Sequence, residues 1–222
     1  MSTTLPIAGT GFAPELKFEV REGGVLEHAV QPTLRFAVEI GTVGAAAQVR
    51  SVALNVEVRI AATRRRYQAE ERERLVDLFG QPEDWGRNLK TLHWTALTAQ
   101  VPAFTGTTVV DLPITCTYDL EVAASRYFDA LDDGEVPLEF LFSGTVFYSG
   151  ADGRLQVGRI GWDKDCSYRL PVQAWRDMID RYFPDSAWIR MRRAEFDRLV
   201  AYKSRHTLLS WEDVVDRLLA DE

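Results

Sequence analysis

Apolar and polar residues alternate one for one over much of the first 170 positions. Leu16, Phe18 and Val20 alternate with Lys17, Glu19 and Arg21. Leu34, Phe36, Val38 and Ile40 alternate with Arg35, Ala37 and Glu39, and Val52, Leu54, Val56, Val58 and Ile60 alternate with Ala53, Asn55, Glu57 and Arg59. A period of two predicts half-buried antiparallel strands with one wet face. GTVGAAAQ (41–48) reads as the loop between the last two. Strands are predicted again over 91–101 and 107–115, separated by the turn PAFTG (102–106), with TYDLEV (117–122) extending the second or starting another. Residues 136–148 and 154–162 form the clearest hairpin, joined by SGADG (149–153), and a last strand covers 166–170.

Helical spacing interrupts this pattern at 69–79, where Leu75, Val76 and Phe79 share a face, Gly80 is a stop, and Glu70, Glu71 and Glu73 fall in turns that favour acids. Pro82 suits the start of a shorter helix carrying Trp85, and AASRYFDAL (123–131) reads as another, stopped by Asp132-Asp133-Gly134. From Pro171 the helical period takes over. Val172, Trp175, Ile179, Tyr182 and Phe183 lie on one face, and a helix over 192–205 follows. Ser210 then heads a capping box with Asp213, before the stripe Trp211, Val214, Val215, Leu218 and Leu219. These closing helices are too short to be stable alone and are expected to pack on the sheet, on each other or on a partner. Trp211 is expected to anchor against the protein's own body; the alternative is presentation to a partner.

The fold class expected is α+β: an antiparallel β-sandwich or curved sheet of eight to nine strands, with short inserted helices and three C-terminal helices. Residues 1–13 are small and polar and read as a flexible tail, and 14–222 as a single domain, with a β-rich body (14–170) and a helical appendage (171–222) packed on it. The tail has neither the basic region nor the apolar core of a secretory signal. No apolar run approaches the roughly 20 residues a membrane helix needs. A cytoplasmic location is therefore expected.

Charge narrows the partners. The net charge of −7 argues against sequence-independent nucleic-acid binding, which rests on phosphate neutralisation. The charge is also uneven. Asp119, Glu121, Asp129, Asp132, Asp133, Glu135 and Glu139 face one base, Arg126, while Arg190, Arg192, Arg193, Arg198, Lys203 and Arg205 outnumber Glu195 and Asp197. These are two solvated faces or a polar docking surface.

Motifs for chemistry are sparse. There is no GxSxG, GxxxxGK[ST], GxGxxG after a strand, or HExxH. Cys116 and Cys166 stand in strand-like contexts without a CxxC, and His28, His93 and His206 are isolated, so two reduced thiols, no metal and no cofactor are expected. Asp132, Asp133 and Glu135 crowd Gly134 and could tune a carboxyl or hold a hard cation. Asp-Asp-Gly is equally good turn chemistry. Trp162, Asp163 and Lys164 lie between two strands, as a ligand platform or a solvated turn around a core indole. Arg64, Arg65 and Arg66 could grip an acidic partner or a phosphate, or form a solvated corner.

The stretches RRRYQAEERERLVDLFGQPEDWGRNLKTLHW (64–94), VPAFTGTTVVDLPITCTYDLEVAASRYFDALDDGEVPLEFLFSGTVF (101–147), IGWDKDCSYRLPVQAWRDMIDRYFP (160–184) and SWEDVVDRLL (210–219) together resemble an uncharacterised family of bacterial proteins. Some members are encoded beside nickel–iron hydrogenase structural and maturation genes. The resemblance implies an accessory role and supplies no catalytic residue. The function expected is a non-enzymatic accessory or interaction module, with a protein partner or a second copy of itself and neither nucleic acid nor membrane. The alternatives are a small-molecule or carbohydrate-binding sandwich using Trp162, and a hydrolase or lyase using Asp132, Asp133 and Asp163.

Overall fold

The computed structural model describes residues 13–44, 47–117, 119, 122–186 and 191–220. The chain divides into two compact units, Met1–Ala187 and Trp188–Glu222. The expected tail up to residue 12, and residues 118, 120 and 121, lie outside the described residues.

Strands dominate the first unit because alternation gives each one an apolar face. In chain order they are β1 (Leu16–Val25), β2 (Thr33–Thr42), β3 (Gln48–Ile60), β4 (Leu92–Val101), β5 (Phe104–Thr105), β6 (Thr107–Thr115), β7 (Glu135–Ser149), β8 (Leu155–Arg159) and β9 (Asp165–Pro171). They form two antiparallel sheets, one ordered β1-β2-β6 and one ordered β4-β3-β7-β8, in which β5 pairs with β3 and β9 with β7. The fold is thus α+β, as the pattern predicts, with nine strands among the described residues. The turn expected at 102–106 contains the two-residue β5, long enough only to pair Val49 with Phe104 and Gln48 with Thr105.

Every second residue of β3, from Val52 to Ile60, is buried, and so are Leu34, Phe36, Val38 and Ile40 of β2. Aromatic rings join the sheets: Phe18 stacks on Phe142 at 4.2 Å, and Phe36 meets Phe140 edge-on at 5.1 Å. Gly23 lets β1 approach β9. Its amide donates to the Tyr168 hydroxyl at 2.9 Å, and a Cβ there would meet Phe36 at 2.6 Å.

Gly144 is a second obligatory glycine. It sits in β7 at φ +137, opposite Leu54, and a Cβ would collide with the carbonyl oxygen of Ala53. Gly144→Ala should therefore lower stability by about 3 kcal/mol through backbone strain and the clash together. A urea denaturation midpoint checks this; an unchanged midpoint would contradict it.

The expected helix over 69–79 is two helices, α1 (Ala69–Arg74) and α2 (Val76–Phe79), broken where Leu75 leaves helical geometry at φ −91, ψ 0 to bury its side chain. After α3 (Trp85–Asn88) comes α4 (Ala123–Asp129), which buries Tyr127 and Phe128. The next helix, α5 (Val172–Tyr182), buries Val172, Trp175, Met178 and Ile179. Trp175 stacks on Phe128 at 4.5 Å, and the Tyr182 hydroxyl donates to Ala29 at 2.6 Å, so α5 is part of the first unit.

The second unit holds α6 (Arg193–Arg205) and α7 (Trp211–Leu219). The capping box at its second helix forms as predicted: the Asp213 amide donates to Ser210 Oγ at 2.9 Å, and the Asp213 carboxylate accepts from the Ser210 amide at 2.9 Å. Among the described residues no helix is long and apolar enough to cross a membrane.

Candidate functional site

The three groups of candidate residues occupy three different places. Arg65, Asp132, Asp133 and Glu135 converge around a buried residue absent from the candidate set, whereas Arg64 and Arg66 do not join them. Glu71 is fully buried in α1 and pairs with Arg65 Nη2 at 2.7 Å. Arg65 also donates to the backbone carbonyls of Asp133 and Glu135, each at 2.7 Å. Glu71 accepts in addition from the backbone amides of Gln68 at 3.0 Å and Asp132 at 3.1 Å. Asp132 pairs with Arg74, with Arg176 at 3.7 Å. Glu135 lies 3.9 Å from Arg169, Arg64 pairs with Glu139 at 2.7 Å, and Arg66 is exposed. Each acid here faces an arginine or lends a carbonyl to one, so the arrangement fastens the turn at Gly134 to α1. The spacing Gln68-x-x-Glu71, with the Glu71 side chain reaching back to the Gln68 amide, is the sequence signal that marks Glu71.

Below this lock lie two buried hydroxyls. Tyr67 donates to Ala62 at 2.7 Å and lies 2.8 Å from the hydroxyl of Tyr127. Burial pushes the Tyr67 phenol up to about 12 and raises that of Tyr127 too. Neither serves as a base near neutrality.

Both cysteines are free, and burial pushes the Cys116 thiol up to about 12 and the Cys166 thiol up to about 11. Since the thiolate is the nucleophile, neither should react with an aromatic disulfide reagent at neutral pH until denaturant is added. Rapid labelling of the native chain would contradict this burial. Among the described residues no group of three or more His, Cys, Asp or Glu is placed to hold a metal ion.

Trp162 occupies the turn from β8 to β9 and is 96% exposed. The turn itself is pinned. The Ile160 amide donates to Gly144 at 3.0 Å, the Phe142 amide donates to Lys164 at 2.8 Å, and Lys164 Nζ reaches Glu15 at 2.6 Å. Asp163 lies 3.9 Å from Lys164 Nζ. The turn therefore arches over Ser143, and its indole borders an open groove of ≈ 720 Å³ on the outer face of the larger sheet.

Trp211 lies in the second unit, 5.6 Å from Phe196, with Lys203 Nζ 5.2 Å from its ring. Val214 is buried, while Trp211 keeps 41% of its surface, Val215 50%, Leu218 45% and Leu219 59%. Two short helices meeting along one side leave the rest of each apolar face open. Between them runs a groove of ≈ 700 Å³ lined by Met191, Leu199, Tyr202 and Leu218 and flanked by Arg205 and by Arg198, which pairs with Glu195 at 2.6 Å.

A family model matches residues 13–222, nearly the whole chain and every group just described. The chain belongs to DUF6084, a family of unknown function. No curated protein matches this DUF6084 chain. Among solved structures it is similar to a late embryogenesis abundant protein (15% identity, 75% of each chain covered, TM-score 0.32). It is also similar to an ApaA protein from Bordetella pertussis (11% identity, 72% of this chain and 94% of that one, TM-score 0.26). A third likeness is to the sporulation control protein Spo0M from Bacillus subtilis (11% identity, 71% and 49% covered, TM-score 0.25). Likenesses this slight carry no weight for fold or function.

Proposed function

We propose that this DUF6084 chain is a non-enzymatic cytoplasmic accessory protein that docks through its C-terminal helical pair onto a protein partner, in the service of a hydrogenase-type metalloenzyme. The exposed stripe Trp211, Val215, Leu218 and Leu219 is the observation that carries this reading. No residue of α6 is buried, and α7 buries Val214. Two helices of this length gain too little from each other to hold an apolar stripe in water, so covering by a partner supplies the missing burial. The groove selects the partner's chemistry: an apolar helix face that enters between Met191 and Leu218, bordered by a carboxylate for Arg205, since Arg198 is already paired with Glu195 at 2.6 Å. The genomic company kept by members of the resembling family supports the choice of a hydrogenase system.

Affinity capture from the native host, run with the chain and with Leu218→Glu, tests the proposal. Leu218 is nearly half exposed, so the variant should fold with a denaturation midpoint within about 0.5 kcal/mol of the parent, a typical surface effect. The parent should retain a hydrogenase structural or maturation protein and the variant should lose it. Retention of the same proteins by both would refute docking through this groove.

A further inference from the structure

We propose that the groove beneath Trp162 is a binding site for a neutral, β-1,4-linked oligosaccharide of glucose-like configuration. This site lies on the larger sheet and is independent of the helical pair.

The first observation is the indole. A pinned turn holds Trp162 away from every apolar neighbour, although burying a side chain of this size yields roughly 1.5–3 kcal/mol. An aromatic face kept in water by an ordered turn is available for stacking. The second observation is the floor. Asn55 of β3 pairs in register with Thr98 of β4 on one side and with Ser143 of β7 on the other. All three side chains point to the outer face, because their neighbours Leu54, Val56 and Phe142 are buried on the inner one. Three adjacent strands spaced about 4.8 Å apart make a row close to 10 Å long, roughly the length of two linked pyranose rings.

The third observation concerns partners. Among the described residues the side chains of Asn55, Thr98 and Ser143 have no hydrogen-bond partner. One amide and two hydroxyls offer both donors and acceptors, which is what sugar hydroxyls need. Charge is already committed. Glu57, the charged residue on the lining, accepts from Arg59 at 2.7 Å and lies 3.3 Å from His93 Nδ1, and the guanidinium holds its carboxyl below the usual carboxylate range. A phosphate or an acidic sugar would therefore find no free cation on the lining, and a neutral ligand fits better.

Shape selects the linkage. The groove lies open along a sheet face, so it accommodates a flat ribbon rather than a coiled chain. In a β-1,4-linked glucose chain the ring hydroxyls are equatorial and the C–H bonds axial. The axial face can stack on the indole of Trp162 while the equatorial hydroxyls reach Asn55, Thr98 and Ser143.

Titration of the full chain with cellohexaose, followed by calorimetry and tryptophan fluorescence, tests the site. Saturable binding with a Kd on the order of 1 mM and a blue shift of the emission are expected. Trp162→Ala should weaken binding at least tenfold and Asn55→Ala several-fold, with denaturation midpoints unchanged because both positions are exposed. Maltohexaose, whose chain coils, should bind about tenfold more weakly. The absence of saturable binding up to about 10 mM cellohexaose would overturn the proposal. So would equal binding by Trp162→Ala, or tighter binding of maltohexaose than of cellohexaose.

Discussion

Replacing Glu71 by alanine should lower the stability of the chain by about 4 kcal/mol, within the range for removing one partner of a buried ion pair. The Glu71 carboxylate is fully buried and serves three donors: Arg65 Nη2, the Asp132 amide and the Gln68 amide. Its removal strands the two amides and one hydrogen of Nη2, and leaves the Arg65 guanidinium, still bonded to the Asp133 and Glu135 carbonyls, without a counter-charge. That guanidinium is already short of one acceptor, since its buried Nε has no partner. The penalty is thus mostly the desolvation of groups left unpaired, rather than the loss of the attraction itself. Two consequences separate this account from a simple cavity. Arg65→Met with Glu71→Leu should recover much of the loss, because two apolar side chains strand no charge. Glu71→Gln should fall between, since the amide still accepts one bond. A midpoint shift for Glu71→Ala below about 1 kcal/mol would show that the pair does not hold the Gly134 turn to α1.

The second large effect is on alkaline stability. Cys116, Cys166, Tyr67 and Tyr127 are all raised by burial, from ordinary values of 9.0 for the thiols and 10.0 for the phenols. For each, the folded chain keeps its proton after the unfolded chain has released it. The stabilisation is complete below the unfolded value and is lost as pH rises toward the folded one. Stability should therefore be level up to about pH 8.5 and fall above pH 9. Near pH 10.5, where the phenols are largely ionised in the unfolded chain and Cys166 has begun to ionise in the folded one, the slope should reach about 4 kcal/mol per pH unit. Urea denaturation at half-unit steps from pH 7 to about 11 measures it. Cys116→Ala should flatten the first part of the fall, and Tyr127→Phe the later part. A flat profile to pH 11 would mean that these groups meet water in the native state.

The strands were legible in the sequence because alternation is a local property, and so was the Ser210–Asp213 capping box. The break at Leu75 was not, since no glycine or proline marks it; it follows from tertiary demand for that leucine's side chain. Arg65 read as one of three surface arginines because its acceptors come from Asp133 and Glu135, far along the chain. Only the packed turn shows that Arg65 is a lock while Arg66 is solvent-facing. Trp162 was visible as a candidate, but not its floor, since strand register decides that Thr98 and Ser143 flank Asn55. The stripe of α7 was legible as a stripe. A helical period says which face is apolar and is silent about what covers it.

Hydrogen exchange over 191–220, in the free chain and in complex with the captured partner, tests the docking account most directly. In the free chain the amides of α6 and α7 should exchange orders of magnitude faster than those of β3 and β7, and in the complex they should slow markedly. Core-like protection in the free chain, or no change on binding, would contradict the account.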